Sequence, residues 1–319
     1  MKALIFSEGN GYGHAARDSL ISRHFGFPIM TFGKGAEFCT LNGMDFIEVP
    51  TPYVIKTAKE KVQVVTGIRD LLRFLKPTSL ARIRADFRKV DLAIVDGSPL
   101  GLAIAGLVRK KALYITNDTS AWIGVHGKLE RQVAGSLMER LMISARPIIV
   151  PDFPPPLTVS ALNLDSSLPL VFAGPLVERK KQVRHGKRFL VSGSLEKALR
   201  PWLGDTAAYG SRADMRACYE DAEVVICHGG HTTIMEALSY GKPVICIVDK
   251  SYSERCNNAL MLERQGVGIM LDKDSLTKDG LMDAIGHAGT LNHDRLKLYR
   301  QTAEGMDPMA ILDKAMKGI

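Results

Sequence analysis

Cysteine is scarce and unpatterned in this chain: five thiols, at positions 39, 218, 227, 246 and 256, with no CxxC pair among them. An odd count without close pairs argues against a disulfide framework and against a cysteine-built zinc site. Cys227 and Cys246 sit inside apolar, strand-like runs, where a thiol behaves as a small hydrophobe. Long hydrophobic runs are missing too. The longest, Leu100-Gly-Leu-Ala-Ile-Ala-Gly-Leu-Val108, falls well short of the ~20 residues a membrane span requires. The opening Met1-Lys-Ala-Leu-Ile-Phe-Ser7 is too short an apolar run for a signal peptide and reads as a first buried strand. A reduced, cytoplasmic location is the expectation. No low-complexity tract or short repeat occurs, and no nucleic-acid-binding motif accompanies the basic residues.

What is present is an ordinary enzyme composition on a long chain. With 319 residues, 46% of them hydrophobic and 24% charged, the chain exceeds one core and predicts two domains of about 150 residues. The formal charge of +8 is concentrated. Between Lys56 and Lys89 stand ten basic side chains against three acidic ones, interleaved with Ile68, Leu71, Leu72, Phe74, Leu75, Ile83 and Phe87. A basic amphipathic helical segment of this kind either lies on an anionic membrane surface or packs its apolar side on its own domain. Both readings stay open here.

Short β-branched runs alternate with amphipathic stretches, the pattern of α/β units around parallel sheets. The first half predicts strands at 2–7, 28–32, 45–49, 92–95, 112–116 and 147–150, with helices at 14–24, 99–109 and 128–142 among them. Pro151-Asp-Phe-Pro-Pro-Pro156 breaks the pattern, 169–175 reads as a last strand, and 178–188 as a linker. The alternation then restarts: strands at 189–191, 206–209, 224–227, 244–248 and 268–271, helices at 196–203, 214–219, 232–239 and 255–264, and two terminal helices. Ligands of such sheets sit at the carboxyl ends of strands.

Two glycine turns carry the chemistry. Val224-Val-Ile-Cys-His-Gly-Gly-His-Thr-Thr-Ile-Met-Glu236 is a strand that turns through Gly229 and Gly230 into a helix. The first helical turn exposes unpaired N–H groups and the positive end of the dipole, a setting for phosphate, with the Thr232 and Thr233 hydroxyls as added donors. Glu236, one turn on, can accept hydrogen bonds from a ribose diol. Near the N-terminus, Gly9-Asn-Gly-Tyr-Gly-His14-Ala-Ala-Arg17 also follows a strand and opens a helix. Its spacing is GxGxG, and strand two ends at Phe32-Gly33 without an acid, so a dinucleotide-binding dehydrogenase is excluded.

The C-terminal stretch resembles the donor signature of GT-B glycosyltransferases, both the UDP-glucuronosyltransferase-like and the MurG-like groups (glycosyltransferase families 1 and 28). His228, Gly229, Gly230, Thr232, Thr233 and Glu236 match it, as does Gly241-Lys-Pro-Val-Ile-Cys-Ile-Val248. The family's acid–glutamine pair before Asn-Ala appears here as Glu254-Arg255-Cys-Asn-Asn258-Ala259, with arginine for glutamine. A guanidinium favours an anion over neutral hydroxyls. Val191-Ser-Gly193-Ser194 resembles a shortened phosphate loop, and Tyr209 stands where relatives carry an aromatic near the base. Gly11, Gly13 and His14 resemble the family's N-terminal "GxGH" loop, and Phe172-Ala-Gly-Pro175 its interdomain element.

The resemblance implies an α/β GT-B chain of two doubly wound Rossmann-like domains facing each other across a cleft. Residues 1–177 would bind the acceptor and 178–319 the donor, the last helix being able to pack back on the first domain. It implies an inverting hexosyl transfer from a UDP-sugar to a hydroxyl. His14 would be the base, oriented by Asp96, with Asp118 as runner-up. Donor contacts would come from Gly11, Gly13, Gly193, Ser194, Tyr209, His228, Gly229, Gly230, Thr232, Thr233, Glu236, Glu254 and Arg255. No cofactor and no obligate metal are expected, because the helix start takes the leaving-group charge. The acceptor is open, a lipid or polyprenol-linked intermediate at the inner membrane face being one candidate. Two alternatives stand beside this. One is a UDP-sugar hydrolase of the pseudaminic-acid pathway type, whose "GxGHxxR" start is matched by Gly11, Gly13, His14 and Arg17. The other is a non-catalytic donor-binding subunit of a transferase complex.

Overall fold

The computed structural model describes residues 1–52, 54–58, 61–65, 76–119, 141–178, 188–210 and 218–319. They build two compact units: residues 1–151, 164–173 and 308–319 in the first, 152–163 and 174–307 in the second. The chain passes between the units several times rather than once near residue 177. Residues 152–163 belong to the donor-side unit, and the C-terminal helix Pro308–Lys317 to the first.

In the first unit, β1 (Ala3–Ser7), β2 (Ile29–Thr31), β3 (Phe46–Glu48), β6 (Leu92–Asp96), β7 (Lys111–Ile115), β8 (Ile148–Val150) and β9 (Leu170–Phe172) form one sheet in the order β3-β2-β1-β6-β7-β8-β9. Each adjacent pair is parallel. Every residue of β1 and β6 is buried, as expected for central strands covered on both faces. The helices Tyr12–Phe25, Gly33–Leu41, Pro77–Arg88 and Pro99–Leu107 supply the crossovers. Phe6, Phe32, Phe87 and Leu102 lie in the core of this unit.

The second unit repeats the plan with β10 (Phe189–Ser192), β11 (Ala207–Gly210), β12 (Val224–Cys227), β13 (Val244–Val248) and β14 (Gly268–Asp272), all parallel in the order β11-β10-β12-β13-β14. One core cluster includes Leu190, Val225, Leu238 and Tyr299, the other Val191, Ile226, Ile245 and Leu281. Successive residues of one strand thus feed opposite faces.

Two expectations need correction, and one open choice is decided. Residues 54–58 and 61–65 are not helical but pair as the antiparallel hairpin β4–β5; Val54, Ile55, Val62, Val64 and Val65 give this stretch the β-branched content that strands prefer. Of the expected basic helical segment the structure describes Pro77–Arg88, where Ile83 and Phe87 are buried in the first core. The apolar side of that helix is therefore occupied within its own unit. The C-terminus holds three helices rather than two, Lys278–Ala288, His293–Gly305 and Pro308–Lys317; Asn292 accepts from the Arg295 N–H and starts the middle one. The expected helices at 128–142 and 214–219 and the linker at 178–188 fall largely outside the described residues. Among those residues no helix is long and apolar enough to cross a membrane.

Candidate functional site

Strand order reverses at one point in each sheet, between β1 and β6 and between β10 and β12. Loops leaving two strands on either side of a reversal diverge and open a crevice at their carboxyl ends. Both glycine turns read from the sequence emerge at these two points.

In the first unit Ser7 and Asp96 are register partners that end β1 and β6. From Ser7 the chain passes through Glu8–Gly11 into the helix Tyr12–Phe25, whose start no side chain caps. His14 and Arg17 lie three residues apart in it and so share a face. His14 Nδ1 is 2.8 Å from Asp96 Oδ1. Arg17 donates from Nε to Asp96 Oδ2 at 2.5 Å and from Nη2 to Oδ1, and Nη1 reaches Asn117 Oδ1 at 3.4 Å. Burial alone would raise the Asp96 carboxyl, but the charges of Arg17 and His14 hold it well below the usual carboxylate range. An ionised Asp96 is acceptor only, and in the tautomer that donates to it from Nδ1 the Nε2 of His14 keeps a lone pair; Arg17 Nη2, a donor, also lies 2.9 Å from Nδ1. The side chain of His14 is 27% exposed while that of Asp96 is fully covered. The imidazole is reachable and the carboxylate beside it is dry. The Asp18 carboxyl beside them is raised well above the usual range, first by burial and then by the Asp96 charge. At Asp118 the backbone N–H donates to Thr116 Oγ1 at 3.0 Å.

Gly97 shows how closely the imidazole is held. It has φ +65°, and a Cβ there would lie 2.3 Å from Cε1 of His14. Any side chain at 97 would displace the ring. Gly11, the residue before the helix, meets nothing within 4 Å at its would-be Cβ, and Gly13 sits in the first helical turn beside His14.

In the second unit β12 ends at Cys227, and His228, Gly229 and Gly230 lead into the helix His231–Ser239. No side chain caps this helix start either, and its first intrahelical N–H bond is Ile234 to Gly230 O at 3.2 Å. The N–H groups of His231, Thr232 and Thr233 are the orphan donors of an α-helix N-terminus. Thr232 and Thr233 are half-buried. Gly229 has φ +78°, and a Cβ there would come within 2.9 Å of the Arg255 carbonyl oxygen and 3.2 Å of Arg255 Cβ. Arg255 is thereby packed on the turn, with its guanidinium 4.4 Å from the Tyr252 ring. His228 Nδ1 faces Ile247 O at 3.3 Å, and burial, then the Arg255 charge, lower its pKa.

The remaining expected donor residues divide. Ser194 is exposed at the end of β10, with Oγ 3.3 Å from Ser192 Oγ, and Gly193 opens the short 3-10 turn there. Glu254 is half-buried in the first turn of the helix Ser253–Arg264. Glu236 is 3% exposed and accepts from the Tyr219 hydroxyl at 2.9 Å. Tyr209 packs against the second core cluster, and the Arg200 guanidinium lies 4.4 Å from its ring centroid; one face of this ring is already used.

Sequence reading missed the residues that support the turn. Asp152 is fully buried and accepts from the N–H groups of Phe153 (2.7 Å), Val159 (3.1 Å) and Ser160 (2.8 Å) and from Ser160 Oγ (2.6 Å). His231 Nε2 lies 3.1 Å from the same carboxylate. Asp152 stands in a proline-rich break that carries no motif. Burial pushes its carboxyl up, but His231 and Ser160 pull it below the ordinary range. A depressed folded pKa contributes stability above the unfolded carboxylate pKa that is lost as pH falls through the folded value. Thermal melts should therefore show Asp152→Asn less stable than wild type near neutrality, with the gap closing on acidification. A gap independent of pH would contradict the ionised assignment.

Comparison with known proteins agrees with this geometry. Residues 196–310 match the glycosyltransferase family 28 C-terminal domain. An uncharacterized glycosyltransferase of Methanosarcina mazei is 26% identical over 85% of this chain and 86% of its own length. The UDP-N-acetylglucosamine–N-acetylmuramyl-(pentapeptide) pyrophosphoryl-undecaprenol N-acetylglucosamine transferase of Cupriavidus pinatubonensis is 34% identical over 29% of this chain and 26% of its own. Among solved structures, the spinosyn forosaminyltransferase SpnP superposes with TM-score 0.68 at 15% identity, covering 99% of this chain and 98% of its own. MurG of Acinetobacter baumannii superposes with TM-score 0.60 at 14% identity, covering 99% and 100%. The matched domain and the glycosyltransferase relatives mark the chain as a glycosyltransferase, its fold is that of the GT-B structures, and residues 196–310 are the part that matches family 28.

Proposed function

We propose that this enzyme transfers a hexosyl group, with inversion, from a UDP-sugar to a hydroxyl acceptor. The second unit holds the diphosphate and the first supplies the base. The observation that carries this reading is the uncapped helix start after Gly229, at the strand-order reversal of the second sheet, with Arg255 packed against it. Orphan N–H groups, the helix dipole and a guanidinium together suit a diphosphate. As the anomeric carbon–oxygen bond breaks, the same groups receive the charge developing on the leaving nucleotide, and no metal is required for that task. His14 Nε2 takes the acceptor proton as the new glycosidic bond forms, and Asp96 stabilises the imidazolium.

A thermal-shift panel of UDP-, GDP- and dTDP-sugars tests the donor assignment, because a ligand that binds only the folded state raises the melting temperature. UDP-sugars should give the largest rise, about 2.7 kcal/mol of stabilisation at a hundredfold excess over Kd. A panel with no rise would sink the reading. Transfer, rather than hydrolysis, predicts that free sugar does not accumulate from a UDP-sugar when acceptor is withheld.

For the acceptor we propose a lipid-linked hydroxyl at an anionic membrane surface. The Cupriavidus relative bears such an acceptor in its name, and Arg82, Arg84, Arg88 and Lys89 are exposed on the helix Pro77–Arg88 and just after it. With the apolar side of that helix buried, the contact would be electrostatic. In vesicle flotation the protein should rise with anionic vesicles and be released by salt. Equal behaviour with neutral vesicles would remove the lipid surface from the account.

A further inference from the structure

The segment 152–163 meets the donor turn at both of its ends. At one end Asp152 contacts His231, the first residue of the helix. At the other, Asn163 Nδ2 donates to Asn258 Oδ1 at 3.0 Å, and Asn258 Nδ2 donates to the Gly229 carbonyl at 3.1 Å. Asn257 Nδ2 in turn donates to Asn163 Oδ1 at 2.8 Å, which fixes which end of the Asn163 amide faces Asn258. Asn163 is 3% exposed and Asn258 fully buried. The segment lies outside the matched family domain of residues 196–310.

The Gly229–Gly230 peptide needs such support. Neither residue has a Cβ, so rotating that peptide about its flanking bonds meets little steric resistance. Rotation would swing a carbonyl oxygen, an acceptor with partial negative charge, away from Asn258 and alter the entry into the helix that an anion must meet. A hydrogen bond worth about 1 kcal/mol net is enough to select one orientation roughly fivefold over the other. The amide relay applies that selection from Asn163.

We propose that residues 152–163 brace the diphosphate turn, with Asn163 a positioning residue that acts through Asn258 on the Gly229 carbonyl. The inference rests on the reading of this turn as the diphosphate site. Asn163 and Asn258 touch no ligand in this account; they decide how many of the turns are ready to receive one. A conformational tax of this kind lowers affinity in proportion to the ready fraction.

Asn163→Asp tests it. The replacement keeps the size of the side chain and substitutes an acceptor for the donor facing Asn258. Asn258 must then rotate its amide to serve the new carboxylate, presenting its own oxygen to the Gly229 carbonyl and losing the bond that holds the turn. Affinities for UDP and for uridine are measured by calorimetry on wild type and variant, with melting temperatures recorded alongside. Replacing a bond of about 1 kcal/mol by a comparable oxygen–oxygen repulsion inverts the preference, so UDP affinity should fall about fivefold, while uridine, which lacks the diphosphate, should change less than about twofold. Asn163→Ser, a shorter side chain that keeps a hydroxyl donor, should recover part of the loss. Unchanged UDP affinity in Asn163→Asp, or equal losses for UDP and uridine, would overturn the brace. Wild-type protein that binds uridine and UDP equally well would instead overturn the diphosphate assignment, and the brace with it.

Discussion

His14→Ala should lower the transfer rate by roughly 10²–10⁴-fold while leaving the melting-temperature rise on adding UDP unchanged. His14 and the Gly229 turn are built on different sheets, so removing one leaves the other standing. At neutral pH an acceptor hydroxyl holds its proton until the bond to the anomeric carbon begins to form. A reachable nitrogen with a free lone pair must be in place at that moment. Nε2 of His14 meets the requirement because Asp96 engages Nδ1. Asp96→Asn extends the test. The amide offers an N–H where the carboxylate offered only oxygen, which permits the tautomer with its hydrogen on Nε2, and that nitrogen is then unable to take a proton. A rate loss of the same order is expected without loss of UDP binding. If His14→Ala retained a rate within a few-fold of wild type, the imidazole would have no part in the chemistry. If it lost UDP binding instead, its role would lie with the donor.

Gly229→Ala should abolish measurable UDP binding and also lower the melting temperature. Two costs add. An L-residue at φ +78° gives up about 1–2 kcal/mol, and the new methyl would lie 2.9 Å from the Arg255 carbonyl oxygen. Relief requires the start of the helix Ser253–Arg264 to move away from the turn, carrying Arg255 and Asn258 with it. A destabilisation of about 2 kcal/mol lowers the melting temperature of a domain this size by roughly 4–8 °C. Gly230 provides the comparison. Its φ is −69° and a Cβ there meets nothing within 4 Å, so Gly230→Ala should keep the wild-type melting temperature. Equal melting temperatures for the two variants would show that the packing of Arg255 on the turn is not what makes position 229 a glycine.

Much of this was legible in the sequence, for identifiable reasons. The strands 224–227 and 244–248 are short apolar runs bounded by glycine, proline and charge, and both appear with those limits. His14 and Asp96 could be paired because each ends or follows a predicted central strand, and adjacent parallel strands bring their carboxyl ends together. Arg17 was visible only as part of a motif; its double contact with Asp96 depends on a helical turn that places it over the neighbouring strand. The pairing of 54–58 with 61–65 was hidden because Lys56 and Lys61 open a window read for its charge, which drew attention from the β-branched Val54, Ile55, Val62, Val64 and Val65. Asp152 and Asn163 gave no signal, since their partners lie 79 and 95 residues away and no spacing rule reaches that far. The contacts of Tyr209 were equally out of reach: Arg200 lies over one face of its ring, and the residue packs against a core cluster.

Hydrogen–deuterium exchange with and without UDP addresses the diphosphate site most directly. Slower exchange on binding should concentrate in the amides of His231, Thr232 and Thr233, which have no intrahelical acceptor in the free protein. Protection confined to some other stretch, with these three amides exchanging as before, would contradict the account.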